Sequence, residues 1–365
     1  MSTDHAQELS SDRVKDDDRP GSCRSAAVRL PLVGPRGLVG VATVLVLGLI
    51  PAAETGPTAR SGASHVLFTR DMGGGPSVLS PGSPRLAWTC ENGTISTLAW
   101  DGLVRPSLTS LRSFDCGGYG RCLALSADPP LLAVGLDDHT VVLCDLLTGS
   151  TRRLHGALRS SVQCGAFTPD RRVLAASSGP TISLWDLSSG NERTSLQGHR
   201  AAVSHLAFSP DGRILASSDK AGLVILWHWS SARKLATLSP NDPHQLLVSP
   251  LAFTPDGKVL AVANQDGRIG LWDVAAGKRL GSLGDGSHSI MAMTTSPDGG
   301  LLIAGTMDGS IECWDLNTHE QSAALLKHAG VSALAFSQDG RHLVSAGIDG
   351  TVRLWLRGVD LPSLR

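Results

Sequence analysis

The chain has 365 residues, of which 18% are charged and 4% aromatic, and 32 Lys and Arg against 33 Asp and Glu give a net charge of −1. Residues 63–358 contain no basic run, so the sequence lacks the positive surface on which nucleic-acid binding depends. We therefore expect no nucleic-acid partner.

The N-terminal region differs in composition from the rest of the chain. Residues 1–35 are polar and mixed in charge, with few apolar side chains, which predicts a disordered tail. Residues 36–54 predict an apolar helix, because the 17 residues from Gly37 to Ala53 carry no charge. Such a helix spans roughly 26 Å, slightly less than a bilayer core of about 30 Å. The segment from Gly37 to Ala53 is therefore predicted to contact a membrane.

The charges around this segment predict its orientation. No acidic residue lies between Asp18 and Glu54, whereas several arginines precede the segment. We expect a single-pass membrane protein with its N-terminus in the cytoplasm and the following domain outside. Two alternatives stay open: a signal peptide whose cleavage leaves a secreted protein, or a buried or disordered segment. Residues 55–62 are predicted to be a linker.

Seven copies of one pattern follow. An apolar strand, a turn related to Ser/Thr-Pro-Asp-Gly, a second strand and a Gly-led third strand recur at steps of 46, 42, 41, 45, 42 and 41 residues. A period of roughly 40–45 residues built from short strands is typical of a β-propeller blade. The turns open at Ser80, Ser126, Thr168, Ser209, Thr254, Ser296 and Ser337.

The turn residues suit the geometry that the pattern needs. In the turn from Ser209 to Gly212, the proline presets φ and the glycine lets the chain leave a type I turn. A second turn follows most middle strands as an Asp-Gly or Asn-Gly pair, which tolerates the positive φ of a two-residue hairpin loop. These pairs are Asn92-Gly93, Asp266-Gly267, Asp308-Gly309 and Asp349-Gly350.

A tryptophan follows the first turn at a fixed distance. Counting 18 positions from the turn opener reaches a tryptophan in the last four repeats, and 17 positions reach one in the third. The tryptophans are Trp185, Trp227, Trp272, Trp314 and Trp355, and Cys144 and Leu98 take this position in the second and first repeats. Asp follows three of the tryptophans. Over about 300 residues the chain resembles the WD-repeat family.

The resemblance implies an all-β fold, a seven-bladed β-propeller of four-stranded antiparallel blades. Family members usually close the ring by lending an N-terminal strand to the last blade. Here the last repeat ends soon after Trp355, and residues 64–68 are the spare strand-like run. We therefore expect the propeller to occupy residues 63–358, followed by a C-terminal tail at 359–365.

The resemblance also implies a hydrogen-bonded set of His, Ser or Thr, turn Asp and Trp within a blade. The set in the seventh repeat is His328, Ser345, Asp349 and Trp355. The fourth repeat offers His199, Ser217 and Trp227, with Ala221 at the expected Asp position. The fifth repeat offers His244, Asp266 and Trp272, with Val262 in place of the hydroxyl. The third and sixth repeats are predicted to lack the His.

Cysteine usage indicates no metal site. The seven cysteines are Cys23, Cys90, Cys116, Cys122, Cys144, Cys164 and Cys313. We interpret them as unpaired core residues, with a Cys116–Cys122 bridge as an alternative. No Cys or His cluster has the spacing of a metal site, so we expect no metal and no cofactor.

The sequence favours binding over catalysis. No catalytic motif is present, most Asp residues are explained by turns, and we nominate no catalytic or binding residues. We expect a non-catalytic protein-interaction scaffold, membrane-anchored, that binds a protein or peptide. The alternative is an extracytoplasmic propeller enzyme or small-ligand sensor that uses the channel mouth, which requires converging acids or histidines. Family members bind through loops that lie here near Arg200-Ala201, Pro243-His244 and Ala329-Gly330 and between Asp219 and Gly222.

Overall fold

The computed structural model describes most of the predicted repeats and two short strands before them. The described residues are 28–32, 40–44, 65–69, 77–79, 85–89, 94–101, 107–126, 130–156, 158–238, 250–264, 266–326, 328–358 and 361. The chain divides into two compact units, Met1–Gly48 and Leu49–Arg365.

The first unit holds a two-stranded antiparallel sheet of Val28–Leu32 and Gly40–Val44. Val28–Leu32 lies in the predicted disordered tail and Gly40–Val44 in the predicted apolar helix, so both predictions are wrong for these residues. Three of the five residues of Gly40–Val44 are β-branched, which favours a strand over a helix. The remainder of residues 1–54 lies outside the described residues. No helix in the described part of the chain is long and apolar enough to span a membrane.

The second unit consists of seven four-stranded antiparallel sheets, which we call blades 1 to 7 and whose strands we call a to d. Blade 1 contains Ser77–Leu79, Arg85–Thr89, Ile95–Asp101 and Ser107–Phe114. Blade 2 contains Gly120–Leu125, Leu131–Leu136, Val141–Asp145 and Thr151–Leu154. Blade 3 contains Val162–Phe167, Val173–Ser178, Thr181–Asp186 and Glu192–Leu196.

The other four blades follow the same order. Blade 4 contains Val203–Phe208, Ile214–Asp219, Val224–His228 and Arg233–Leu238. Blade 5 contains Leu251–Phe253, Val259–Ala263, Ile269–Asp273 and Lys278–Leu283. Blade 6 contains Ile290–Thr295, Leu301–Thr306, Ser310–Asp315 and Gln321–Leu326. Blade 7 contains Val331–Phe336, His342–Gly347, Thr351–Leu356 and, as strand d, His65–Thr69.

The blades form a closed ring. Strand a of each blade contacts strand a of the next, and that of blade 7 contacts that of blade 1. His65–Thr69 pairs antiparallel with Thr351–Leu356, so one sheet joins the two ends of the ring. The predicted seven-bladed propeller and its closure by an N-terminal strand are confirmed.

Apolar side chains between neighbouring blades form the core. Seven buried clusters fill the seven interfaces between adjacent blades. Between blades 3 and 4, for example, Ile182 and Leu184 pack with Leu215, Ile225 and Trp227. Each fully buried side chain of this kind contributes about 1.5–3 kcal/mol, so the interfaces supply the main stabilisation of the ring.

The residues at the predicted tryptophan position occupy equivalent places in the seven described blades. In every blade this residue lies in strand c and pairs with a leucine of strand b. The pairs are Leu86 with Leu98, Leu132 with Cys144, Leu174 with Trp185, Leu215 with Trp227, Leu260 with Trp272, Leu302 with Trp314 and Leu343 with Trp355.

The turns between strands a and b have the geometry that the sequence predicts. The Ser209 hydroxyl donates to Asp211 and accepts the N–H of Ile214, and this donation holds the pKa of Asp211 below its usual value. Gly212 has a φ of 70°, in the left-handed region. Arg171 occupies the same turn position in blade 3 with a φ of 58°, although it carries a Cβ.

Trp229 packs at the edge of blade 4. It begins a 3-10 turn, Trp229–Ser231, rather than continuing the strand. Its ring lies edge-on to Phe208 with 6.0 Å between centroids, and its Nε1 donates to the Gly212 carbonyl at 2.7 Å. These contacts account for its side chain without a binding partner.

Candidate functional site

The predicted binding loops that the structure describes lie on one face of the ring, which we call the upper face. It is built from the loops that enter strand a and the turns between strands b and c. In blade 4 the Lys220 N–H donates to the Ala202 carbonyl at 2.9 Å, and in blade 7 the Ile348 N–H donates to the Gly330 carbonyl at 2.9 Å. The predicted loop at Pro243-His244 lies outside the described residues.

Blade 4 contains a complete hydrogen-bonded set beneath this face. His199 Nδ1 lies 2.8 Å from Asp219 Oδ2, and His199 Nε2 lies 2.7 Å from Ser217 Oγ. Trp227 Nε1 donates to the same hydroxyl at 2.8 Å. The prediction that Ala221 leaves this blade without its Asp is wrong, because Asp219, two residues earlier, supplies the carboxylate.

The set in blade 4 has the connectivity of a Ser-His-Asp catalytic triad but not its accessibility. Ser217 is fully buried, and its oxygen already accepts a hydrogen bond from Trp227. Burial lowers the pKa of His199, although Asp219 partly opposes this, so the imidazole is neutral at neutral pH. Since no substrate carbonyl can reach a hydroxyl enclosed in this way, the set ties the loop to strands b and c rather than performing chemistry.

Blade 7 contains the set that the sequence predicts, with one change. Ser345 Oγ lies 2.7 Å from His328 Nε2 and accepts Trp355 Nε1 at 2.8 Å. Thr351 Oγ1 takes the position next to His328 Nδ1, at 2.8 Å, while Asp349 lies 3.6 Å away and accepts the Thr351 hydroxyl. Asp349 is therefore linked to His328 mainly through the Thr351 hydroxyl.

Blade 6 contains a variant set that sequence reasoning missed. His288 Nδ1 lies 3.0 Å from Glu312 Oε1, and its Nε2 lies 3.5 Å from Asp308. The other oxygen of Glu312 accepts Trp314 Nε1 at 3.3 Å. A buried glutamate of strand c thus replaces the usual hydroxyl of strand b. The prediction that this repeat lacks a His is wrong.

Blade 3 has no such set, and a cavity lies in its place. By strand register, Val162 and Ser178 in blade 3 correspond to Val203 and Asp219 in blade 4. Counting back from Val162 then puts Leu158 at the position of the His. The cavity measures about 590 Å³ and opens at the upper face. Its lining comprises Leu158, Arg159, Ser160, Ser178, Pro180, Thr181, Ser183, Glu192, Ser195, Gln197, Gly198 and His199.

The cavity has many polar side chains in its lining and adjoins exposed positive charge. Five hydroxyl side chains contribute to its lining, and Arg159 stands at its rim. Arg200 occupies the corresponding loop position in blade 4, and Lys220 lies in the neighbouring turn. All three cations are exposed, and none forms an ion pair with a described residue. This part of the upper face therefore attracts negative charge.

Cofactor and metal sites were not expected from the sequence. No group of three or more His, Cys, Asp or Glu residues in the described part of the chain could hold a metal ion. In blades 4 and 7 the histidine bonds to the serine that accepts the strand-c tryptophan, and in blade 6 Glu312 contacts both His288 and Trp314.

The seven four-stranded sheets define a β-propeller. The WD domain, G-beta repeat family matches residues 149–186, 190–228 and 320–355, and the Anaphase-promoting complex subunit 4 WD40 domain matches residues 230–296. The matched segments run from strand d of blade 2 to strand c of blade 7 and leave out strands b and c of blade 6. The chain thus contains WD40 repeats, and its described sheets form a seven-bladed propeller. A search of curated proteins finds no match.

Proposed function

We propose that the chain is a non-catalytic interaction scaffold whose upper face, at blades 3 and 4, binds an acidic segment of a partner protein. The observation that supports this most strongly is the cavity lined by Arg159, with exposed Arg200 and Lys220 in loops of the same face. WD40 propellers are typically protein-interaction scaffolds, which fits an open surface without converging catalytic groups.

The cavity suits an extended peptide better than a compact metabolite. A volume of about 590 Å³ holds a few side chains, and its wall offers serine and threonine hydroxyls together with exposed Gln197. Hydroxyls and amides both donate and accept hydrogen bonds, so they satisfy a peptide backbone of either orientation. The neighbouring cations select carboxylates and accelerate the encounter with an acidic partner.

Binding of two labelled peptides of equal length tests the proposal. One peptide alternates Glu with Ser and the other alternates Lys with Ser, and fluorescence polarisation measures their affinity for the full chain. We expect saturable binding of the acidic peptide that weakens as salt is added. Replacing both Arg159 and Arg200 by Ser weakens binding by about tenfold, because two exposed charges contribute about 1.4 kcal/mol together.

Arg213→Ser is the matched control. Arg213 is also exposed, 3.9 Å from Asp211, but lies in a turn between strands a and b, at the opposite ends of the strands. Its replacement leaves affinity for the acidic peptide unchanged. Equal affinity for the two peptides, or an equal loss in the control and the double variant, contradicts the proposal.

Membrane attachment through residues 37–53 is a separate proposal, supported by the uncharged sequence between Arg36 and Glu54. It places the N-terminus in the cytoplasm and the propeller outside. Fractionation of cells expressing the full chain, against a chain that lacks residues 1–60, tests it. We expect the full chain to stay with membranes after alkaline extraction and the truncated chain to be released. Equal release of both chains refutes membrane attachment and leaves the scaffold proposal standing.

A further inference from the structure

Blade 2 replaces the hydrogen-bonded set by a pair of thiols. By strand register, Gly120 and Leu136 correspond to Val203 and Asp219 of blade 4, and Cys144 corresponds to Trp227. Counting back four positions from the first residue of strand a gives His199 in blade 4 and Cys116 in blade 2. The four positions in blade 2 are therefore Cys116, Val134, Leu136 and Cys144.

The two thiols are neighbours. Cys116 Sγ lies 3.9 Å from Cys144 Sγ, and the two side chains are 4% and 0% exposed. The surrounding cluster is apolar and includes Val134 and Leu136, so no buried oxygen or nitrogen takes the role that Ser217 has in blade 4. The alternative pairing of Cys116 with Cys122 is not formed, since Cys122 packs between blades 2 and 3 in a different cluster.

We propose that Cys116 and Cys144 form a disulfide that fastens the entry loop of blade 2 to strand c, in place of the hydrogen-bonded set. The bond requires the two sulfurs to approach by roughly 2 Å, from contact distance to an S–S length of about 2 Å. Strand c is held in the sheet on both sides, whereas the loop between Phe114 and Gly120 is free of strand pairing. The loop therefore supplies the movement, aided by Gly117, whose φ is 73°.

A small opening gives the pair access to an oxidant. A cavity of about 280 Å³ reaches Cys116 and is also lined by Asp115, Gly117, Val142, Thr151 and Arg153. Arg153 donates to the Cys116 carbonyl at 3.2 Å, which places its positive charge near the thiol. Cys144 lies deeper and is reached only through Cys116.

Access and electrostatics together assign the order of attack, because Cys116 lines the cavity and Cys144 does not. The hydrogen bond from the Cys144 thiol lowers the pKa of Cys116, and Arg153 acts in the same direction against burial and Asp115. The same contact, together with burial, raises the pKa of Cys144. Cys116 is therefore the first thiolate to form, and the thiolate is the attacking species.

The oxidant is a low-molecular-weight disulfide. The Cys116 thiolate attacks one of its sulfurs, forming a mixed disulfide and releasing one thiolate. Cys144 then loses its proton and attacks Cys116 Sγ, which forms the Cys116–Cys144 bond and releases the second thiolate. The protein loses two thiol protons and two electrons, and the electrons reduce the oxidant to two thiols.

Peptide mapping of the native full chain tests this inference. The reduced protein is incubated with oxidised glutathione, remaining thiols are alkylated, and the digest is analysed by mass spectrometry. We expect a linked peptide pair containing Cys116 and Cys144, and a higher unfolding midpoint than in the reduced protein. Recovery of both cysteines as alkylated peptides, or of Cys116 linked to Cys122, overturns the proposal.

Single variants distinguish the thiol that attacks the oxidant from the thiol that completes the disulfide. Cys144→Ala is expected to trap glutathione on Cys116, whereas Cys116→Ala leaves Cys144 unmodified. Cys164→Ala is the matched control, because Cys164 Sγ lies 3.0 Å from Ser177 Oγ rather than from a thiol, and the linked peptide persists in it. Glutathione on Cys144 in Cys116→Ala, at the level found on Cys116 in Cys144→Ala, contradicts the assigned order of attack. Because the mapping uses the unmodified protein, a variant that fails to fold does not affect the main result.

Discussion

The hydroxyl of Ser217 is the centre of the set in blade 4, and removing it tests whether that set stabilises the ring. In Ser217→Ala, Trp227 Nε1 loses its acceptor and His199 Nε2 loses its hydroxyl donor. Both side chains are buried, so water cannot replace the missing oxygen without opening the interface between blades 3 and 4.

The expected loss follows from the two broken hydrogen bonds. Each contributes about 1 kcal/mol in net terms, and a buried polar group left without a partner costs about 1–3 kcal/mol. The loss of an oxygen atom leaves little space, so the cavity contribution is small. Ser217→Ala is therefore expected to lower the free energy of unfolding by about 2–4 kcal/mol.

Equilibrium urea unfolding followed by tryptophan fluorescence measures this change. Ser230→Ala is the matched control, because Ser230 lies in the same blade, is exposed and reaches only His228 Nδ1, at 3.4 Å. The control is expected to change the free energy of unfolding by less than about 0.5 kcal/mol. If Ser217→Ala unfolds at the same urea concentration as the control, the buried set has no stabilising role and the reasoning fails.

Three further predictions concern a turn, a buried histidine and the strand that closes the ring. Arg171 has a φ of 58°, a left-handed backbone conformation that is strained for a residue with a Cβ. Arg171→Gly removes this strain and is expected to stabilise the protein by up to about 1 kcal/mol, measured by thermal unfolding. A lower unfolding midpoint in the variant contradicts this. Burial lowers the pKa of His205 to about 4, whereas the pKa of a histidine in an unfolded chain is about 6.5. Burial of neutral His205 therefore contributes fully to the stability of the fold above pH 6.5. This contribution is lost as the pH falls from 6.5 toward 4, because the unfolded chain then binds a proton that the folded chain does not. His205→Gln is therefore expected to reduce the acid destabilisation of the wild type by up to about 3 kcal/mol, and parallel pH profiles of the two proteins refute it. Deleting residues 61–71 removes strand d of blade 7 and is expected to lower the unfolding midpoint of the whole ring, whereas an unchanged midpoint refutes closure by this strand.

The ring could be predicted from the sequence because its signals are local. Each turn is specified by four consecutive residues, such as those from Ser209 to Gly212, and the spacing to the tryptophan counts along two adjacent strands. Both features lie within one hairpin, so they do not depend on distant parts of the chain. The strand that closes the ring was predicted from the family resemblance and from the lack of any other strand for the last repeat.

The buried sets were predicted less well, because they depend on where side chains meet in space. In blade 4 the carboxylate that contacts His199 belongs to Asp219, whereas the sequence pattern predicted it two residues later, at the position of Ala221. In blade 6 the acceptor moves to another strand, from the usual hydroxyl of strand b to Glu312 of strand c. The contact between Cys116 and Cys144 joins the entry loop to strand c, and only the strand register shows that both occupy positions of the same set.

The apolar N-terminal segment shows the limit of hydropathy as a guide. Hydropathy and length predicted a helix over residues 36–54, but neither measures the preference of β-branched residues for an extended backbone. Gly40–Val44 contains Val41, Thr43 and Val44 and pairs with Val28–Leu32.

The strand pairing that closes the ring has a consequence for synthesis of the protein. His65–Thr69 is synthesised before blades 1 to 6, whereas its partner Thr351–Leu356 is synthesised after them. Until then the early strand has no neighbour in its own sheet, and an unpaired strand edge invites aggregation. Blades 1 to 6 can assemble during translation, but blade 7 cannot be completed before Thr351–Leu356 has been synthesised. A bound chaperone during that interval is expected to affect the yield of native protein more than a chaperone that acts before His65–Thr69 has been made.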